Sequence, residues 1–191
     1  LKLGAARVYD DVRMAIKTGP DSIYIDGMEG GTGAGPHLAT EDTGVPGMAA
    51  IRQARKALDD LGKSGEISLV YAGGIRNGSD VAKALALGAD AIAIGHSALM
   101  ALNCNKDIPE ADYPKEMGVE AGNCYHCHTG RCPVGVATQD PVLRKRLDPD
   151  KAAERVYNFL HTLTMEAQLL ARACGKTNIH SLEPEDLAAL T

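Results

Sequence analysis

The sequence predicts an α/β protein: the C-terminal half of a (β/α)8 TIM barrel, with a cysteine-bearing loop and a helical C-terminal tail. Three observations favour this fold class. In the first 100 residues, four short apolar runs alternate with amphipathic segments. The third run ends in Gly73-Gly74 and the fourth ends in Gly95-His96. Repeated βα units form a parallel sheet, and glycines after the last two strands of a barrel are typical of its phosphate site.

The predicted strands are short apolar runs bounded by turn residues, at residues 1–3, 22–26, 67–72 and 91–94. Apolar residues at helical spacing predict helices near residues 8–16, 48–61 and 81–87. Asn77 or Ser79 can cap the third helix, and a fourth helix is expected to begin near Ser97. Four βα units make half of an eight-fold barrel. We therefore expect the N-terminal half of the barrel to lie outside this chain or on another polypeptide.

The C-terminal part of the chain does not continue the βα pattern. Residues 105–123 are polar and carry two prolines, which indicates an irregular insertion. On this basis the chain divides into a barrel part, residues 1–139, with a cysteine segment at residues 104–132, and a helical tail, residues 140–191.

Two helices are predicted in the tail. Asp150 to Cys174 carries apolar residues at helical spacing and ends at Gly175. Its apolar positions, which include Tyr157 and Leu160, are expected in the core, and Cys174 is expected to be a buried thiol. Glu183 to Leu190 predicts a short acidic helix.

Charge and cysteine usage exclude several classes of partner. A formal net charge of −5 over 191 residues argues against nucleic acid or an anionic membrane as the main partner. No apolar run has the length of a membrane span. Four of the five cysteines lie in one stretch, whereas a disulfide framework spreads its cysteines, so we expect a reducing cytoplasm.

The cysteine segment predicts a metal centre. Cys124, Cys127 and Cys132 follow the spacing C-x2-C-x4-C, with a proline directly after the third. Thiolates at this density select iron–sulfur clusters or zinc. A zinc site commonly pairs one CxxC with a second pair of ligands, which is lacking here, so a cluster is favoured. Three ligands permit a three-iron cluster, and a fourth from Cys104 would permit four irons.

Glycines at the strand ends predict a nucleotide phosphate site. Gly73 and Gly74 follow the third strand, and Gly95 and His96 follow the fourth. Glycine lets backbone N–H groups approach phosphate oxygens, and a helix starting near Ser97 would direct its positive end at the same anion. The predicted ligand is the phosphate of flavin mononucleotide (FMN). The alternative is that these glycines only make tight turns.

Two further features lie at the predicted catalytic face. The loop from Asp26 to Pro36 contains Gly30 and Gly31 and could lie over a flavin ring or a small substrate. Lys2, at the end of the first strand, can neutralise a substrate carboxylate or a reduced flavin. The alternative for the loop is a surface loop without a ligand. The alternative for Lys2 is a solvated lysine at the end of a strand.

These residues resemble the FMN-binding synthase domain of the glutamate synthase large subunit, in the branch that includes N-methylglutamate synthase. The motifs that carry the resemblance are Gly30-Gly-Thr-Gly-Ala34, Ala72-Gly-Gly-Ile75, Gly95-His-Ser-Ala-Leu-Met-Ala-Leu-Asn-Cys104 and Cys127-His with Cys132-Pro-Val-Gly-Val-Ala-Thr-Gln139. The resemblance runs from Lys2 to about Gln139 and more weakly through the tail.

The resemblance implies a cofactor set and site residues. The family binds FMN on a barrel and a 3Fe–4S cluster through three cysteines; a 4Fe–4S cluster is the alternative here. The resemblance also places Lys2 near the substrate and the flavin. Cys127 and Cys132 match the second and third cluster ligands, while Cys104 and Cys124 compete for the first.

The resemblance also implies a reaction and partners. The expected reaction is the reduction of a 2-iminoglutarate-type intermediate, formed from 2-oxoglutarate and ammonia or methylamine, to glutamate or N-methylglutamate. The expected partners are the N-terminal half of the barrel and amidotransferase and electron-donor domains or subunits, and the chain alone is expected to be inactive. The alternative is an electron-transfer or assembly module whose catalytic half is on another polypeptide.

Overall fold

The computed structural model describes residues 1–31, 35–36, 38–39, 42–104, 114–115, 118, 124 and 126–189. Among these residues, the strands are β1 (Lys2–Gly4), β2 (Ser22–Asp26), β3 (Ser68–Ala72) and β4 (Ala91–Ala93). The α-helices are α1 (Val8–Ile16), α2 (Gly47–Asp60), α3 (Gly78–Ala86), α4 (His96–Ala101) and α5 (Pro149–Ala173). Short 3-10 turns span His126–His128, Leu143–Arg146, Ile179–Ser181 and Pro184–Asp186. The predicted βα alternation is confirmed, with each strand within one residue of its expected bounds.

The chain forms two compact units. The first comprises residues 1–31, 36–94 and 162–191, and the second comprises residues 32–35 and 95–161. No described helix combines the length and apolar composition required to cross a bilayer.

The four strands of the first unit form a parallel sheet in the order β1-β2-β3-β4. The register sets Lys2 opposite Tyr24, Tyr24 opposite Val70, and Val70 opposite Ala91. Successive right-handed βα units place each new strand beside the previous one and parallel to it, which gives this strand order. The carboxyl ends of β1, β2 and β3 therefore lie side by side.

The two faces of this sheet differ in burial. Ile23, Ile25, Leu69 and Tyr71 point to one face and are almost fully buried. Helix α2 packs against β2 and β3, and α1 packs against α2. We call the opposite face the open face; it carries Lys2, Gly4, Tyr24, Val70, Asp26, Ala72, Ala91 and Ala93. Val70 and Ala72 are buried within it, whereas Lys2, Tyr24 and Ala91 are exposed.

The C-terminal segment of the first unit packs on α3. Ala171 and Leu182 form a small apolar cluster with Ala82 and Ala86. At the other end of α3, the backbone N–H of Gly78 donates to Glu166 Oε2 at 2.7 Å. An added Cβ at Gly78 would lie 2.3 Å from Glu166 Cβ, so α5 can approach α3 this closely only at a glycine.

Three expectations for the tail are wrong. Tyr157 and Leu160, which were expected in the core, are exposed. Cys174 is exposed rather than buried, because the chain turns at Gly175 directly after α5. The predicted helix from Glu183 to Leu190 is a single 3-10 turn, Pro184–Asp186. Glu183 and Asp186 cap each other reciprocally, and Leu187 is extended, so the turn ends there. Leu190 lies outside the described residues.

Candidate functional site

An ion pair joins Lys2 to Asp26, the last residue of β2. Lys2 was expected at the end of the first strand, but it is the first residue of β1, because the strand continues to Gly4. Lys2 Nζ lies 2.7 Å from Asp26 Oδ2, and the two side chains are 61% and 16% exposed. The other carboxylate oxygen, Asp26 Oδ1, is buried and has no hydrogen-bond partner among the described residues. The Lys2 ammonium thus lies beside the end of β2. The sequence did not predict that Asp26 pairs with Lys2, although an acidic residue ending a buried strand is a usable signal.

Two glycines make the turn after β3. Gly73 has φ +103° and Gly74 has φ +70°, both in the region that favours glycine. An added Cβ at Gly73 would lie 3.0 Å from Asp26 Oδ1, and one at Gly74 would lie 3.0 Å from Glu29 Cβ. That side of the turn is therefore filled by acidic side chains, and a phosphate would have to meet the turn from another side.

The start of the glycine-rich loop also packs against Asp26. An added Cβ at Gly30 would lie 1.7 Å from Asp26 Oδ1, so only glycine fits there. Glu29 Oε2 accepts a hydrogen bond from Gly47 N at 3.1 Å, which fixes the loop to the start of α2. Gly31 has φ +141°. The Thr32, Gly33 and Ala34 positions of the motif lie outside the described residues.

Tyr71 is a buried neighbour that the sequence did not identify. Its side chain is 1% exposed, and its hydroxyl oxygen lies 2.5 Å from an added Cβ at Gly47. Burial, followed by the negative charges of Glu29, Asp80 and Asp26, raises the pKa of Tyr71 to about 12. Tyr71 therefore stays neutral at physiological pH.

Gly95 and His96 begin the second unit. Gly95 is the N-cap of α4, and an added Cβ there would meet nothing within 4 Å. At the other end of α4, Arg155 donates from Nε to the carbonyl of Ala101 at 3.1 Å and from Nη2 to that of Leu102 at 3.2 Å. The arginine thereby satisfies terminal carbonyls of α4 that have no partner within the helix.

Cys104, Cys124, Cys127 and Cys132 all lie in the second unit, and all five cysteines of the chain are free thiols. Cys104 follows α4, where its N–H donates to Leu99 O at 3.0 Å. Burial raises the pKa of Cys104, and charge on Cys127, Cys132 and Cys124 raises it further. Burial also raises the pKa of Cys124, with smaller contributions from Cys127 and Cys132.

Among the described residues, no group of three or more potential ligands is close enough to hold a metal ion. The metal centre at these cysteines therefore stays a prediction.

Comparison with known proteins identifies the family. Residues 1–109 and 115–177 match the family described as a conserved region in glutamate synthase. The chain belongs to this glutamate synthase family. The matched region includes Lys2, the glycine turns and all four cysteines of the segment from Cys104 to Cys132.

Several curated relatives carry the same family name. The chain is 52% identical over 191 residues to a glutamate synthase large subunit-like protein of Rhizobium meliloti, covering 100% of this chain and 43% of that protein. It is 39% identical over 183 residues to an archaeal glutamate synthase (NADPH) of Methanocaldococcus jannaschii, covering 95% of this chain and 32% of that protein. The chain thus spans less than half the length of these relatives.

Solved structures support the fold of this glutamate synthase family chain. A flavocytochrome b2 mutant gives a TM-score of 0.56 at 18% identity, over 96% of this chain and 34% of that one. A mandelate oxidase mutant with the monooxide FMN adduct gives 0.53 at 20% identity, over 95% and 39%. At this identity the likeness shows the fold: a parallel α/β arrangement consistent with part of a barrel.

Proposed function

We propose that this chain is the flavin- and cluster-binding part of a glutamate-synthase-like oxidoreductase. The reaction is the reduction of a 2-iminoglutarate-type intermediate, formed from 2-oxoglutarate and ammonia or methylamine, to glutamate or N-methylglutamate. The observation that carries the proposal is the Lys2–Asp26 pair, 2.7 Å apart, which lies at the carboxyl end of β2 beside the Gly73-Gly74 turn. In parallel α/β folds, ligands bind at this edge of the sheet.

The residues present fit FMN. The positive φ angles of Gly73 and Gly74 make a turn that other residues rarely adopt, and the space beside Gly95 Cα is open. The family resemblance, rather than the geometry, implies that backbone N–H groups of Gly73, Gly74, Gly95 and His96 would hold the phosphate and that Gly30 and Gly31 would line the flavin. When bound, FMN supplies a hydride for an imine carbon.

The cysteines fit an iron–sulfur cluster by their chemistry. Four thiols lie in one unit, and thiolates are the ligands that such clusters take. Cys127 and Cys132 would be two ligands, with Cys104, Cys124 or both completing the set for a 3Fe–4S or a 4Fe–4S cluster. The raised pKa values of Cys104 and Cys124 mean that cluster binding would release protons. Free thiols also agree with a cytoplasmic location.

Lys2 would bind the substrate. Its ammonium lies on the open face of the sheet and is 61% exposed, so it can reach a carboxylate of a 2-oxo or imino acid. Such a charge-assisted contact fixes the substrate and does not itself transfer a proton. The N-terminal half of the barrel and amidotransferase and electron-donor domains or subunits would complete the enzyme.

The test uses the natural gene product that carries this chain. Six of the relatives, the Methanocaldococcus jannaschii protein among them, carry NADPH in their names, so NADPH is the first electron donor to try. We expect oxidation of one NADPH for each amino acid formed from 2-oxoglutarate, with ammonium and methylamine compared as the amine. NADPH provides two electrons and, with one proton, converts the imine to the amine.

Lys2→Met should lower kcat/KM for 2-oxoglutarate by about 10- to 100-fold, since a hydrogen bond to a charged group contributes about 1.5–3 kcal/mol. Lys56→Met is the matched control, because Lys56 pairs with Asp60 on the exposed surface of α2 at 2.8 Å. Electron transfer to an artificial acceptor without any amino acid product would favour the electron-transfer module. An unchanged kcat/KM in Lys2→Met would refute the role of Lys2.

A further inference from the structure

Burying the carboxylate of Asp26 lowers the stability of the fold. Its oxygen Oδ1 is buried without a donor among the described residues, under the backbone of Gly30 and Gly73. A buried acceptor without a donor loses its hydrogen bonds to water and gains none in return. Such groups are uncommon in native proteins, and each one calls for an explanation.

The ion pair with Lys2 does not provide that explanation. The lysine side chain is 61% exposed and the Asp26 side chain only 16%, so water screens the attraction while the carboxylate loses much of its own hydration. An ion pair with one exposed partner does little to offset that loss. We therefore expect the fold to be at least as stable with a neutral side chain at position 26.

The surroundings instead give Asp26 a fixed orientation. An added Cβ would lie 1.7 Å from Oδ1 at Gly30 and 3.0 Å from it at Gly73, so the backbone encloses this oxygen. The second oxygen, Oδ2, consequently has a fixed position, and it meets Lys2 Nζ at 2.7 Å. A long, exposed lysine is otherwise free to adopt many rotamers.

We propose that Asp26 is the positioning residue of Lys2 and holds its ammonium on the open face for an anionic ligand. This inference rests on the proposed function, and it assigns the ligand group as a carboxylate of a 2-oxo or imino acid. The ammonium has three hydrogens. One of them bonds to Asp26, and the other two remain for the ligand. The carboxylate of Asp26 therefore orients Lys2 and leaves hydrogen-bond donors for the ligand.

Asp26→Asn tests the inference, since asparagine keeps the shape and removes the charge. In the natural gene product, we expect an unfolding temperature that is unchanged or higher. We expect binding of 2-oxoglutarate, measured by calorimetry, to weaken about 10- to 100-fold, as misplacement of a binding group can do. In a Lys2→Met background, Asp26→Asn should weaken binding no further, because Asp26 acts through Lys2. Asp60→Asn, which breaks an exposed pair with Lys56, is the matched control and should change neither quantity.

Three outcomes would overturn the inference. The first is a lower unfolding temperature with unchanged binding, which would make Asp26 structural. The second is equal weakening by Asp26→Asn with and without Lys2, which would make the two residues independent. The third is a wild-type protein that binds no 2-oxoglutarate. A wild-type protein that binds 2-oxoglutarate with the expected coupling but oxidises no NADPH supports the inference and refutes only the proposed function.

Discussion

Gly30 tolerates a side chain less than its neighbours in the site. An added Cβ would lie 1.7 Å from Asp26 Oδ1 and 2.5 Å from Asp26 Cγ. We predict that Gly30→Ala lowers the free energy of unfolding by about 1–3 kcal/mol, the usual cost of forcing extra atoms into a packed site. Urea unfolding measures this change in the free energy of unfolding. Gly4→Ala is the control, since an added Cβ there meets nothing within 4 Å. Equal stability of the two variants would show that Asp26 can move aside.

At the residue scale, the sequence indicated candidate site residues but not their partners. Lys2, Gly73 and Gly74 were singled out because a cation or a glycine pair at a predicted strand end can meet an anion, and that role stays a prediction. The sequence could not show that Asp26 faces Lys2, because the two lie 24 positions apart and are brought together only by the pairing of β1 with β2. Tyr71 was missed for a related reason: a tyrosine in a buried strand has the same pattern as any core residue.

At the scale of single elements, the start of α3 is held by two local acceptors and one from a distant helix. Asn77 Oδ1 accepts from Asp80 N at 3.0 Å, and Asp80 Oδ2 accepts from Arg76 N at 3.0 Å. Glu166, from α5, accepts from Gly78 N at 2.7 Å. Three side chains thus satisfy N–H groups at the start of α3. The Asn77 cap is one of the two predicted from the sequence, whereas the contact with Glu166 required the fold.

We predict that Glu166→Ala lowers the free energy of unfolding by about 1–3 kcal/mol, because the Gly78 N–H is left without its acceptor. Glu166→Gln keeps an acceptor oxygen and should cost less. Thermal and urea unfolding measure both variants, and Glu154→Ala, an exposed glutamate on the same helix, is the control. If Glu166→Ala and Glu154→Ala were equally mild, the hydrogen bond would not connect α5 to α3 energetically.

The long helix α5 shows where periodicity was insufficient. Leu163, Ala167 and Ala171 are buried, as an i, i+4 row facing one partner should be. Tyr157 and Leu160, which were expected in the core, are 65% and 39% exposed. Helical spacing identifies apolar positions, but it cannot show how wide a stripe of the helix a partner covers.

At the scale of the whole molecule, the sheet has one covered and one open face. In a complete barrel, eight strands close so that inward side chains pack against each other. The described residues form four strands, and the open face carries the exposed Lys2 and Tyr24. The βα period was predictable because each unit is local. The irregular insertion predicted at residues 105–123 lies almost wholly outside the described residues, and its sequence has no period to follow.

The central claim is that one protein holds FMN and an iron–sulfur cluster on this chain, and cofactor analysis of the anaerobically purified natural gene product tests it most directly. We predict flavin absorbance, iron and acid-labile sulfide in the same preparation, with FMN released on denaturation. Cys127→Ser should lower iron and sulfide together, whereas Cys174→Ser, at an exposed thiol beyond α5, should leave both unchanged. Stoichiometric zinc without sulfide, or iron and sulfide that survive Cys127→Ser, would contradict the account.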